Sequence, residues 1–339
     1  MFKKVSWGIL ILIVVLLILN WKTVTYGFQQ AKGQLSITFN TRDVDEVLED
    51  SLVADSTKQK IKIIQEARSF AFNDLGLKKS DNYSTFYDQK GTVALWNLSA
   101  SKPFALEPYT WSFPLLGSFP YKGFFDLERA KQEMEQLKEQ DYDVRIRPVG
   151  GWSTLGWSSD PILSNMLERP EGSLAELIIH ELTHSTLFIK DNIEFNENLA
   201  SFIGERGAVK FLNNKYGKNS EAYFEYILAE EDSKTFRNQM LLATRKLDSL
   251  YESLKNTDSD SLKSFHKHLL IDQIMNSIDT LHFHNSRYYQ VFQSGRPNNA
   301  YFMSYVRYYS AKDSLEDLFV SQYQNDLNLF IKGMKEYHD

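Results

Sequence analysis

The chain has 339 residues, 42% hydrophobic and 24% charged, which is the composition of an ordinary globular protein with length for one large domain or two modest ones. A formal net charge of -6, with no dense Lys/Arg tract, argues against nucleic acid as a partner. The complete absence of cysteine excludes disulfides, thiolate metal sites, cysteine nucleophiles and lipid attachment through a cysteine.

At the amino terminus, Lys3 and Lys4 precede an uncharged apolar run from Val5 to Leu19, bracketed by Trp7 and Trp21 and closed by Lys22. A run of about 15 to 17 residues is short for a bilayer span and long for a signal-peptide core. The bulky stretch from Asn20 to Tyr26 offers no small-x-small cleavage site. The segment therefore reads as an uncleaved signal anchor, one transmembrane helix within residues 1–26. Its paired lysines orient the amino terminus to the cytoplasm and residues 27–339 outside it, periplasmic in a Gram-negative cell.

Residues 27–53 read as a polar tether and a first helix. Helical spacing over 57–75 sets Ile61, Ile64, Ala67, Phe70 and Ala71 on one side, with Gly76 as the stop. Thr92 to Trp96 and Thr110 to Phe113 are β-branched and aromatic runs, expected as strands. A helix over 127–140 and a half-exposed strand from Tyr142 to Arg147 follow. Gly150, Gly151, Trp152 and Thr154 form either a turn with packed tryptophans or an edge strand on which an extended substrate pairs its main chain. A helix from Ser173 to Ile189 is expected next, with Ser173 and Glu176 as a capping box, and then one from Asn196, its cap, to Leu212. From Ser220 onward the pattern is predominantly helical. The whole reads as α+β: one mostly helical domain over 27–339 with a small mixed or antiparallel sheet.

The chemistry concentrates in His180-Glu181-Leu182-Thr183-His184. Residues four apart on a helix share a face, so both imidazoles can converge on one ion, and Glu181 beside them can take a proton from an attacking water. Leu174, Ala175, Leu177, Ile178, Ile179 and Leu182 make this helix apolar nearly all round, and burying three ionisable groups in it is costly unless a metal uses them. Only seven histidines occur, so the pair is no by-product of abundance. Glu197 in Asn196-Glu197-Asn198-Leu199-Ala200 is the expected third ligand, with Ala200 and Gly204 letting the two helices approach. Glu205 is the alternative, as a ligand or as a carboxylate orienting an imidazole N–H. Asp191 and Glu194 fall in the turn. His266 with His268 and His282 with His284 are i,i+2 pairs, which point apart on a helix. An oxyanion donor is sought among tyrosines, with Tyr305 in the Tyr301 to Tyr309 stretch as the choice and Tyr121 as another source.

His180 to His184 with Asn196-Glu197-x-x-Ala200 resembles the gluzincins, in which such a Glu completes a zinc site. More closely, the chain is similar to the putative bacterial aminopeptidase family. The likeness rests on those motifs together with Tyr26 to Gln34, Phe119 to Asp126, Gly151 to Asp160 and Asn298-Asn299-Ala300. It implies a zincin-like domain holding one Zn2+ and hydrolysing peptides or proteins. No Gly-x-Met-x-Asn segment, which grips the substrate's amino terminus in well-known gluzincin aminopeptidases, precedes the metal helix. The alternatives are a zinc endopeptidase of the cell envelope and a non-catalytic envelope peptide-binding protein with a structural metal.

Overall fold

The computed structural model describes residues 20–113, 117–150 and 159–338. The expected anchor, Val5 to Leu19, lies outside them, and among the described residues no helix is long and apolar enough to cross a membrane. The first described element is α1 (Trp21–Phe39), a continuous helix where a tether was expected. It forms because one side is docked: the Tyr26 hydroxyl and the Gln30 amide both donate to the Gly123 carbonyl, at 2.9 and 3.1 Å. The helix runs across residue 26, where the sequence places the end of the anchor.

The elements that follow are β1 (Arg42–Asp43), α2 (Val44–Glu49), α3 (Asp55–Asn73), β2 (Thr85–Tyr87), β3 (Trp96–Ser101), β4 (Trp111–Phe113), β5 (Gly117–Phe119), β6 (Lys122–Phe124), α4 (Leu127–Lys138), β7 (Asp143–Pro148) and β8 (Ile162–Leu163). In place of one sheet there are three small ones among the described residues. β6-β3-β7 is antiparallel throughout, β1-β2-β8 is mixed, and β4-β5 is an antiparallel pair. The strand expected from Thr92 begins only at Trp96, where pairing with Pro148 and Phe124 starts. Val144 and Ile146 on one side of β7 join Leu98, Ala100 and Leu137 in a core between sheet and α4. Arg145 and Arg147 occupy the other side.

The carboxyl half is helical: α5 (Glu171–His184), α6 (Ile193–Tyr216), α7 (Glu221–Ser253), α8 (Asp260–Ser277), α9 (Asn299–Tyr309), α10 (Lys312–Tyr323) and α11 (Leu327–His338). The largest core gathers α3, α5, α6, α10 and α11, with Ile64, Ile178, Phe202 and Phe330 at its centre. α5 begins before the expected capping box, at Glu171 behind Pro170, and no side chain caps it. Proline's fixed φ suits a helix start, so Ser173 and Glu176 lie inside the helix. It also stops at His184, because the Ser185 and Thr186 hydroxyls donate back to the Leu182 carbonyl, each at 2.9 Å, and turn the chain. α6 is capped by Asn192, four residues ahead of the expected Asn196, its side chain accepting from the Phe195 N–H at 3.3 Å.

α5 and α6 cross at Gly204, with Ala200 buried one turn before it. A Cβ at Gly204 would stand 3.0 Å from the Glu176 carbonyl and 3.2 Å from the His180 Cβ, so hydrogen is the only side chain this crossing admits without displacement. Gly204→Val is therefore expected to lower unfolding free energy by about 1–3 kcal/mol through overpacking, measured by urea denaturation. A variant as stable as the native chain would contradict this account of the crossing.

Candidate metal centre

His180 and His184 stand one turn apart at the carboxyl end of α5, their rings 4.9 Å apart and nearly perpendicular. The turn between the helices delivers Glu197 to them. It is locked by Asn196, which was expected as a cap: its side chain accepts from the Ile189 N–H and donates to the Ile189 carbonyl, both at 2.8 Å. The three donor atoms form a closed triangle. His180 Nε2 and His184 Nε2 are 3.2 Å apart, and Glu197 Oε2 is 3.3 Å from the first and 3.4 Å from the second. Lone pairs converging at this distance repel unless a proton or a cation lies between them.

Electrostatics express the same demand. Burial alone would raise the Glu197 carboxyl, but His184 and His180 outweigh it and hold the group well below the usual carboxylate range. Burial would lower His184, yet Glu197 lifts it above its ordinary value. His184 Nδ1 is buried with no partner among the described residues, so its hydrogen-bonding chemistry rests on Nε2.

The triangle opens on a cavity of about 740 Å³ walled by α5, α6, α9, β7, the β4–β6 region and α1. Glu181 lines it, as do Gly150, Tyr121, Tyr305 and Tyr308. Gly151, Trp152 and Thr154 lie outside the described residues. The Tyr305 hydroxyl pairs with that of Tyr301 at 2.9 Å, and its ring packs 6.0 Å from Phe236. Tyr308, nearly one turn further along α9, comes closer to the donor triangle, with its ring 6.4 Å from that of His180. Burial and Glu197 push its hydroxyl up to about 12, while Arg147 and Arg307 pull it down. Tyr121 is likewise raised by burial and then by Glu197. α9 is bolted to the sheet by the Asn298-Asn299 pair: Asn298 donates to the Val144 carbonyl at 2.9 Å, and Asn299 to that of Lys102 at 2.9 Å. That bolt is what aims Tyr308.

Glu205 is placed elsewhere. It pairs with Arg237 at 2.9 Å and with Lys312, and its carboxylate groups with Glu176 and Glu230 rather than with the imidazoles. His266, His282 and His284 are not among the residues lining the cavity; His284, for one, meets Glu231 at 3.2 Å. Arg145 and Arg147 are cavity residues that the sequence reading took as the exposed side of a strand. Two arginines at i,i+2 with no acid between them were the available signal.

A model of the putative aminopeptidase family matches residues 25–339. The chain belongs to that family. No curated protein and no solved structure matches it. The family is one of peptidases by its description, and the match runs through every element that lines the cavity, from α1 to α9.

The second acidic group has a consequence of its own. Three carboxylates, Glu176, Glu205 and Glu230, face two cations, Arg237 and Lys312, so one negative charge is in excess. A proton shared within the cluster offsets it: burial first, then Glu230 and Glu205, raise the Glu176 carboxyl to about 8, and burial with Glu205 raises that of Glu230. A carboxyl raised from 4.5 to about 8 on folding contributes stability that is complete below pH 4.5 and lost as pH rises through 8. The stability of the native chain relative to Glu176→Gln is therefore expected to fall steadily across that window in urea unfolding at stepped pH. A flat difference would contradict the shared proton.

Proposed function

We propose that this protein is a membrane-anchored, extracytoplasmic zinc peptidase holding one Zn2+ on His180, His184 and Glu197, with aminopeptidase as the activity its family points to. The donor triangle carries the reading. Four tetrahedral ligands at about 2.0–2.1 Å have edges of about 3.3–3.4 Å, and the three edges here are 3.2, 3.3 and 3.4 Å. Two imidazoles and a carboxylate are a donor set that suits Zn2+. Among the described residues no fourth His, Asp or Glu joins the group, which favours a catalytic over a structural site.

When bound, Zn2+ supplies polarisation of the scissile carbonyl and lowers the pKa of water towards about 7. Glu181 takes a proton from the attacking water and returns it to the departing amine. The Tyr308 hydroxyl, held protonated by its raised pKa, donates to the oxygen on which negative charge develops, the role first sought in Tyr305. Glu197 needs no proton at neutral pH, since its pKa is held low. The apolar segment Val5 to Leu19 would tether this cavity to the outer face of the membrane.

Glu181→Gln is expected to keep one equivalent of zinc and the native circular-dichroism spectrum while kcat on a mixed peptide library drops by about 10²- to 10⁴-fold. Near-native turnover would sink the general base, and N-acetylated peptides in the same library report exo- or endopeptidase polarity. Tyr308→Phe is expected to lower kcat by about 10²-fold or more with little change in KM, and Tyr305→Phe much less. The reverse order of kcat effects would return the donor role to Tyr305.

A further inference from the structure

The cavity has two walls of opposite chemistry. α5 and α6 contribute its acidic side chains, Glu176, Glu181 and Glu197, of which Glu176 carries a proton, whereas β7 contributes Arg145 and Arg147. These arginines alternate with Val144 and Ile146 and so leave the strand on the side facing α9. Their described hydrogen-bond partners are hydroxyls: Arg145 donates to Ser304 Oγ and Arg147 to the Tyr308 hydroxyl, each at a long 3.4 Å. Arg145 also lies over the Tyr301 ring, 4.6 Å from its centroid. Behind them Arg307 is 6% exposed, donating to the Pro120 carbonyl at 3.3 Å, with its Nε unpartnered among the described residues.

None of the three has a carboxylate at ion-pair distance among the described residues, in contrast to Arg237 in the neighbouring cluster. Like charges packed this closely destabilise one another. Burial, then Arg147, lowers the pKa of Arg145, and Arg307 adds to the effect. A cationic patch that is half-buried, mutually repulsive and held by weak hydroxyl contacts is one that an anion would stabilise. A guanidinium offers two parallel N–H groups to one carboxylate, and two guanidiniums side by side can bracket it.

We propose that Arg145 and Arg147 form a subsite for a substrate carboxylate, so that the enzyme acts on peptides carrying a carboxylate close to the scissile bond. The position follows from Tyr308, which touches Arg147 on one side and faces the His180 ring on the other. One tyrosine ring thus separates the carboxylate subsite from the metal centre, a span that one to three peptide residues cover at about 3.3–3.6 Å each. The carboxylate is either the free carboxyl terminus of a short peptide or an Asp or Glu side chain of a longer one. This inference rests on the peptidase reading for the identity of the ligand, but its test does not need turnover.

Zinc-loaded Glu181→Gln protein is titrated by calorimetry with trialanine, trialanine amide and Ala-Glu-Ala amide. Trialanine is expected to bind about 10- to 100-fold tighter than its neutral amide, the size of one or two charge-assisted hydrogen bonds in a partly desolvated site. That gap should vanish in Arg145→Gln and Arg147→Gln, and Arg147→Lys, which keeps charge but loses the fork, should retain part of it. Ala-Glu-Ala amide binding as tightly as trialanine would assign the subsite to an acidic side chain, and binding as weakly as trialanine amide would assign it to the carboxyl terminus. Equal affinity for all three peptides, or no binding of any, overturns the proposal, and the same acid-to-amide comparison on metal-free protein with both arginines, where no zinc can hold the carboxylate, decides it even if the arginine variants fail to fold. A retained affinity gap in a protein whose native form cleaves no peptide would overturn the peptidase reading and leave the carboxylate subsite standing.

Discussion

The structure depends on one close contact, the crossing of α5 and α6 at Gly204. It brings a buried carboxylate, Glu197, within 3.3 and 3.4 Å of two imidazoles. Neither helix could carry its polar residues into the core alone, since an isolated buried carboxylate or imidazole is expensive. Together they make a triangle whose charge is mutually compensated and whose open side faces the cavity. The rest of the fold serves this crossing. Asn196 pins the intervening turn, the apolar sides of α3, α10 and α11 pack around the helix pair, and the Asn298-Asn299 bolt holds α9 and the sheet across the cavity.

Charge is separated along the same helix pair. At one end the carboxylate is balanced by imidazoles. Further along, Glu176, Glu205 and Glu230 are balanced by Arg237, Lys312 and a proton. The competition between Glu197 and Glu205 is resolved by these partners: they differ little in burial, at 8% exposure each, but Glu205 already has two cations and Glu197 has only the histidines.

What could be read from the sequence was what depends on local period. Four-residue spacing set the two histidines on one side of a helix, the small residues Ala200 and Gly204 pointed to a close crossing, and alternation placed β7. Helix ends were less legible, because they were decided by side chains acting through space or on the backbone behind them. Ser185 and Thr186 stop α5 early, and Asn196, which has the chemistry of a cap, is used to fasten the turn while Asn192 does the capping. The tyrosine nearest the donor triangle was hidden for a similar reason. Tyr301, Tyr305 and Tyr308 share one side of α9, and only its attachment to β3 and β7 decides which of them reaches His180. Arg145 and Arg147 looked like the wet side of a strand because their spacing, the one local signal, does not say that another helix covers it.

The central claim is that two imidazoles and one carboxylate, presented by the α5–α6 crossing, hold one zinc ion with a position left open. X-ray absorption at the zinc edge on the metal-loaded protein tests it most directly. The account predicts one zinc per chain, four-coordinate with nitrogen and oxygen neighbours at about 2.0–2.1 Å, and loss of that signature in Glu197→Ala. Sub-stoichiometric zinc, an octahedral shell of oxygens alone, or an unchanged spectrum in Glu197→Ala would contradict it.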